Sequence, residues 1–274
     1  MMNQHKISLK TKTIINRLNV LVGVVLTSVL FGCGGGGGST EKKATTEEIV
    51  TCAGRTLDAG NQCVTIDARE SILYKPSTGD IKGVALFLHG SPGNAKKVMG
   101  IFDAKMLADK YNLLVLGPEG TTSTWGWNSA NDPAVTSTKD VDYLNELLVK
   151  VKGDHGVASD NLYVFGYSAG GFMAYKLACE MPEKITAIVS LAGQFRGDLD
   201  SCSTSTSVNL HHFHSLTDHD VPFEGRSFGS ILSVDETIAH WRTKNGCDVA
   251  VETKQHDGVT ATSSGTETDI YQNC

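Results

Sequence analysis

The stretch Asn161-Leu-Tyr-Val-Phe-Gly-Tyr-Ser168-Ala-Gly-Gly-Phe-Met-Ala-Tyr175 decides the fold. The apolar run Leu162 to Phe165 suits a strand buried on both faces, and Phe172 to Glu180 continues as a helix. Between them lies Gly166-x-Ser168-x-Gly170, a tight strand-to-helix turn. Such a turn presents its serine at the end of a sheet, with glycines where side chains would collide with strand and helix. A serine hydroxyl is a weak nucleophile until a nearby base takes its proton. The rest of the chain must therefore supply a base, a carboxylate to orient it, and donors for an oxyanion.

Working outward, Val84 to Leu88, Leu113 to Leu116 and Ile185 to Leu191 are further apolar runs, and Val208 to Phe213 is a more alternating one. Val141, Leu144, Leu147, Leu148 and Val151 recur at helical spacing between them. Strands alternating with helices imply an α/β fold with a mostly parallel, helix-covered sheet. Three loops follow strands: Ser91-Pro-Gly-Asn94, Gly117 to Pro133, and Thr217 to Gly225. Ligands bind at those strand ends in open α/β sheets.

Each loop carries candidate chemistry. Leu86-Phe-Leu-His89-Gly90-Ser91 is a strand ending in His-Gly, and the amide of Ser91 or Gly90, with that of Ala169, is a candidate oxyanion donor. His89 precedes the nucleophile and reads as a buttress of its loop. In His214-Ser-Leu-Thr-Asp218-His-Asp220-Val-Pro222, Asp218 is the favoured orienting carboxylate and Asp220 the alternate. An aspartate there can equally form a turn before proline. Trp125 and Trp127 offer rings for a phenolic or sugar group, or fill their own loop. For the base, bare chain order nominates His256, downstream of Asp218 and after a strand-like alternation at Val249 and Val251. His211, His212, His214 and His219 read as strand or loop residues.

The N-terminus reads as a targeting segment. Lys6, Lys10, Lys12 and Arg17 precede an uncharged, largely apolar run from Leu18 to Gly32, shorter than the about 20 residues of a membrane span. The remainder divides into a Gly-rich polar tether, 33–48, and one domain, 49–274. A net charge of -6 with no basic cluster in that domain argues against nucleic acid as a partner. The chain has seven cysteines. Setting Cys33 aside leaves Cys52, Cys63, Cys179, Cys202, Cys247 and Cys274, an even set that suits disulfides in an exported protein, with neighbour pairing preferred. No Cys-x-x-Cys spacing points to zinc, and no metal or organic cofactor is expected.

Leu30-Phe-Gly-Cys33 resembles a bacterial lipobox, with bulky Phe31 as a departure, and implies lipidation at Cys33 and anchoring in the cell envelope. From about residue 81 to the end, the chain resembles the exported esterase family of polyhydroxybutyrate depolymerases and bacterial feruloyl and acetylxylan esterases. The likeness is densest over Asp140 to Gly193, in Asp140-Val-Asp-Tyr-Leu144, Gly166 to Pro182 and Ser190-Leu-Ala-Gly193. It returns at the Asp218 loop and from Trp241 to Cys247. Ser91, Ser215 and Phe223 depart from the family pattern without removing a reacting group.

The resemblance implies an α/β-hydrolase fold and a serine-dependent ester hydrolase, its substrate a polyester or a hydroxycinnamoyl or acetyl glycan. An acyltransferase with the same nucleophile, or a non-catalytic surface lipoprotein that binds such ligands, are the rival readings. In the family a last strand and a Gly-Gly-His-x-Trp-Pro loop with the base follow the cysteine that Cys274 resembles. The resemblance therefore implies that residues 1–274 lack that strand and base, whereas a remodelled C-terminal stretch would leave the role to His256.

Overall fold

The computed structural model describes residues 50–77, 79–121, 126–129, 139–203, 205–249, 251–257 and 265–274. Cys33, the leader, the tether and Trp125 lie outside them. The chain opens with β1 (Thr51–Cys52) paired to β2 (Arg55–Thr56), then a hairpin of β3 (Asn61–Ile66) and β4 (Arg69–Tyr74). Next come β5 (Gly83–Leu88), α1 (Ala95–Ile101), α2 (Ala104–Tyr111), β6 (Leu113–Pro118) and α3 (Lys139–Asp154). β7 (Leu162–Tyr167), α4 (Ala169–Glu180), β8 (Ala187–Leu191), β9 (Asn209–Phe213) and α5 (Val234–Lys244) follow. A second hairpin, β10 (Val251–His256) and β11 (Thr266–Tyr271), ends the described chain.

Seven strands form one sheet in the order β3-β4-β6-β5-β7-β8-β9. β6, β5, β7, β8 and β9 are parallel, and β4 joins them antiparallel through β6. β5 leads to β6 on one side, and the chain then crosses to β7 on the other. The loops after β5 and β7 consequently diverge at the switch point, at the carboxyl ends of the strands, where open α/β sheets bind ligands.

Strand alternation divides the core in two. Leu86, Leu88, Leu114, Leu116 and Val164 face one way, against Leu144, Leu147 and Val151 of α3 and Met173 and Leu177 of α4. Ala85, Phe87, Leu113 and Val115 face the other, against Val98, Ala104 and Ala108 of α1 and α2. Burial on both faces is why these runs are continuously apolar. Buried Asp140 on α3 pairs with Arg69 of β4 at 2.7 Å, tying the antiparallel edge to the helix layer.

The second hairpin departs from expectation. Val251 does lie in a strand ending at His256, but β10 pairs only with β11 and the two stand outside the seven-stranded sheet. A cleft of 420 Å³ separates β11 from β9 and α5. The neighbour disulfides Cys52–Cys63, Cys179–Cys202 and Cys247–Cys274 all form, the last closing the hairpin. Among the described residues no helix is long and apolar enough to cross a membrane.

Phe87 is fully buried and stacks on Phe165 with ring centroids 4.8 Å apart. Phe87→Ala should cost about 3–5 kcal/mol of stability through the cavity it leaves. The midpoint of urea denaturation reads this, and an unchanged midpoint would show that the α1–α2 layer is not packed as described.

Candidate active site

Ser168 stands between the last residue of β7 and the first of α4, at φ 52° and ψ −115°. A left-handed φ is unusual for a residue with a Cβ and costs about 1–3 kcal/mol. The surroundings enforce it. The Ser168 amide donates to Leu191 O at the end of β8 (2.8 Å), and its carbonyl accepts from the Phe172 amide (3.1 Å). A Cβ on Gly170 would collide with the Leu88 carbonyl of β5, and one on Gly166 with the Gly170 carbonyl. These contacts press the first turn of α4 onto the ends of β5 and β7, which is the steric reason for glycine at both places. The Ser168 hydroxyl makes no helix-capping bond and is partly exposed.

The loop after β5 lies against this turn. A Cβ on Gly90 would come within 2.9 Å of the Tyr167 ring, and one on Gly170 within 2.9 Å of His89 O. His89 fixes the loop from beneath. Its Nε2 accepts from the Gly120 amide (2.9 Å), so the ring proton sits on Nδ1 and is donated to Gly90 O (2.8 Å). Trp127 Nε1 donates to His89 O at 2.9 Å. The amides of Ser91 and Ala169 have no hydrogen-bond partner among the described residues. A developing oxyanion requires free N–H donors, and these two amides, one in the Ser168 turn and one in the loop that lies against it, are the candidates.

Trp127 is placed differently from a stacking platform. It is 4% exposed, with Arg69 over its ring at 5.6 Å and His89 beside it, so it supports the His89 loop from the core.

Asp218, in the loop after β9, accepts the Asp220 and Val221 amides on Oδ1, both at 2.9 Å. Its Oδ2 faces His214 Nε2 at 3.9 Å. Asp220 is exposed. His256 is not brought to this loop: its Nε2 lies 3.1 Å from Thr268 Oγ1 of β11. Among the described residues no histidine forms a hydrogen bond to Ser168 or Asp218. Cys52, Cys63 and Glu70 cluster at metal-ligand distances, but both sulfurs are spent in a disulfide.

Comparison with known proteins gives the architecture a family context. Residues 124–233 match the family model described as phospholipase/carboxylesterase. An acetyl xylan esterase from Aspergillus awamori superposes with a TM-score of 0.51 at 17% identity, covering 77% of this chain and 89% of that one. A thermostable esterase gives 0.51 at 16%, covering 68% and 52%. The fold is that of an α/β-hydrolase.

Sequence relatives of this chain carry esterase names. A putative esterase of Nocardia uniformis subsp. tsuyamanensis is 26% identical over 56% of this chain and 44% of its own length. A bifunctional acetylxylan esterase/xylanase of Neocallimastix patriciarum is 21% identical over 68% and 26%. A probable feruloyl esterase C of Aspergillus niger is 24% identical over 80% and 76%. The chain thus spans less than half the length of the first two relatives.

The sequence reading missed a ladder behind the loop that holds Asp218. His214 Nε2 donates to Val221 O (2.7 Å), so its Nδ1 accepts from His212 Nε2 (3.2 Å), and His212 Nδ1 in turn accepts from Tyr175 OH (2.9 Å). One chain of hydrogen bonds thereby links α4, the helix that follows Ser168, to the loop that holds Asp218. The signal was present as His-x-His, since residues two apart on a strand share a face. Burial, then the neighbouring His214 and His211, lower His212 from 6.5 to about 3.

Between those values the unfolded chain binds a proton that the folded chain refuses. Stability is therefore complete above about pH 6.5 and is lost as pH falls towards 3. The melting temperature should drop across that window, and His212→Gln, which cannot titrate, should flatten the drop. An equal slope in the variant would exclude His212 as a source.

Proposed function

We propose that the chain is a serine-dependent carboxylic ester hydrolase with Ser168 as its nucleophile. One observation carries this reading: a serine held at left-handed φ, partly exposed, next to two amides without partners. Esterase relatives and an α/β-hydrolase fold support it. The proposed substrates are esters of the polyhydroxybutyrate, feruloyl or acetylated-glycan kind, the latter two in line with the names of the relatives.

In the proposed reaction Ser168 Oγ bonds to the ester carbonyl carbon, and the oxygen gathers negative charge between the Ala169 and Ser91 amides. The bond to the alcohol then breaks, and the alcohol departs with the proton that left Ser168. Water repeats the sequence to free the acid. Asp218 Oδ2, clear of the backbone, is the proposed orienting carboxylate. His256, nominated as base by chain order, would have to leave Thr268 to reach Ser168. Export and anchoring through a lipid on Cys33 complete the proposal. They rest on the charged, apolar, cysteine and glycine order of residues 6 to 38.

A second reading is favoured by the absence, among the described residues, of a histidine bonded to Ser168: the site binds an ester ligand without turning it over. A fluorophosphonate probe separates the two. Hydrolysis predicts rapid labelling that Ser168→Ala abolishes and Asp218→Asn slows by about 10⁴-fold. Labelling unchanged in His256→Ala would remove His256 as the base. Folded protein that takes no label at all favours binding alone.

A further inference from the structure

Arg196 and Arg226 are neighbours, and among the described residues neither has an acidic partner. Arg196 lies three residues beyond Gly193, where a Cβ would touch the Ser168 carbonyl. Arg226 lies in the loop beyond Asp218. Ile231 joins them, bridging antiparallel to both Arg196 and Arg226. Directly paired residues point to one face, so the arginines flank Ile231 on the side where it packs with Phe172 and Val221. Phe172 is one helical turn past Ser168, and the Arg196 guanidinium lies 5.8 Å from its ring.

Each guanidinium is aimed by its own loop. Arg196 Nε donates to Gly229 O (2.7 Å) and Arg226 Nε to Phe228 O (3.2 Å). The terminal nitrogens have no hydrogen-bond or ion-pair partner among the described residues. Burial, then the neighbouring Arg226 cation, pull the Arg196 guanidinium below its ordinary value. Two like charges held together in a chain of net charge -6, with acidic residues in excess, call for an anion from outside. Guanidinium forks match the planar, two-oxygen geometry of a carboxylate.

We propose that Arg196 and Arg226 form a carboxylate-binding fork beside Ser168, and that the ester this protein takes carries a free carboxylate. The substrate class rests on the ester-hydrolase reading above; the anion site does not. The carboxylate belongs either to the acyl part, as in a half-ester of a dicarboxylic acid, or to the alcohol, as in a uronic acid.

The test separates these. In the full chain bearing Ser168→Ala, titration calorimetry should show monomethyl succinate or O-acetylated glucuronic acid binding about tenfold more tightly than dimethyl succinate or O-acetylated glucose. Which of the two acids shows the preference identifies the source. The preference should vanish when R196Q and R226Q are combined. If the combined variant does not fold, R226Q alone, at an exposed residue, should reduce the preference severalfold. Equal affinity for acid and neutral ester, or a preference that survives loss of the arginines, overturns the proposal. If anion binding follows the arginines while wild-type protein cleaves neither p-nitrophenyl hemisuccinate nor p-nitrophenyl butyrate, the fork stands and the hydrolase reading falls.

Discussion

The contact on which the site depends is between backbones: the first turn of α4 against the Leu88 and His89 carbonyls at the end of β5, with Gly170 between them. A single methylene there would push helix from sheet. The approach is tolerated only because glycine leaves room, and it forces the intervening serine into a left-handed conformation. Three consequences follow from one packing constraint: the hydroxyl is lifted clear of the helix, the Ala169 amide is left unpaired, and the His89–Ser91 loop is brought alongside. The two hydrophobic half-cores supply the rigidity that keeps this strain from relaxing.

Around the constraint, polar groups transmit position rather than chemistry. His89 presents Nε2 as acceptor to the Gly120 amide, which leaves Nδ1 to donate to Gly90 O. The Tyr175–His212–His214 ladder has its proton direction dictated in the same way, from its Val221 carbonyl end. Both are buried, and both join a loop to the layer beneath it. The loops around Ser168 are thereby placed by one another and do not rely on any one of them being rigid alone.

The strand-turn-helix around Ser168, the five parallel strands and the disulfide partners were legible because each is local: a continuous apolar run, glycines at steric contacts, cysteines near in sequence. β3 was not, since its half-buried edge position leaves polar residues such as Asn61, Gln62 and Thr65 in the pattern, and β4 offers only the short apolar run Ile72 to Tyr74 after Arg69, Glu70 and Ser71. α1 and α2 were hidden by their brevity and by the break at Phe102 and Asp103, whose left-handed φ interrupts the period. His256 shows a different limit. The strand before it was readable, but alternation says nothing about which strand it pairs with, and pairing with β11 carries the histidine to another sheet. Arg196 and Arg226 are thirty residues apart and meet only through Ile231, a contact that no spacing rule contains.

The closed second hairpin also bears on solubility. Among the described residues β9 has a paired neighbour on one side only, and a strand with a free side is a template for joining another chain. β11 and α5 stand across the cleft from it, and Cys247–Cys274 keeps the hairpin tethered beside α5. The bond therefore fixes both ends of the hairpin at one point of the chain, close after α5. What faces the open side of β9 is thus a strand already paired with its own partner within its hairpin.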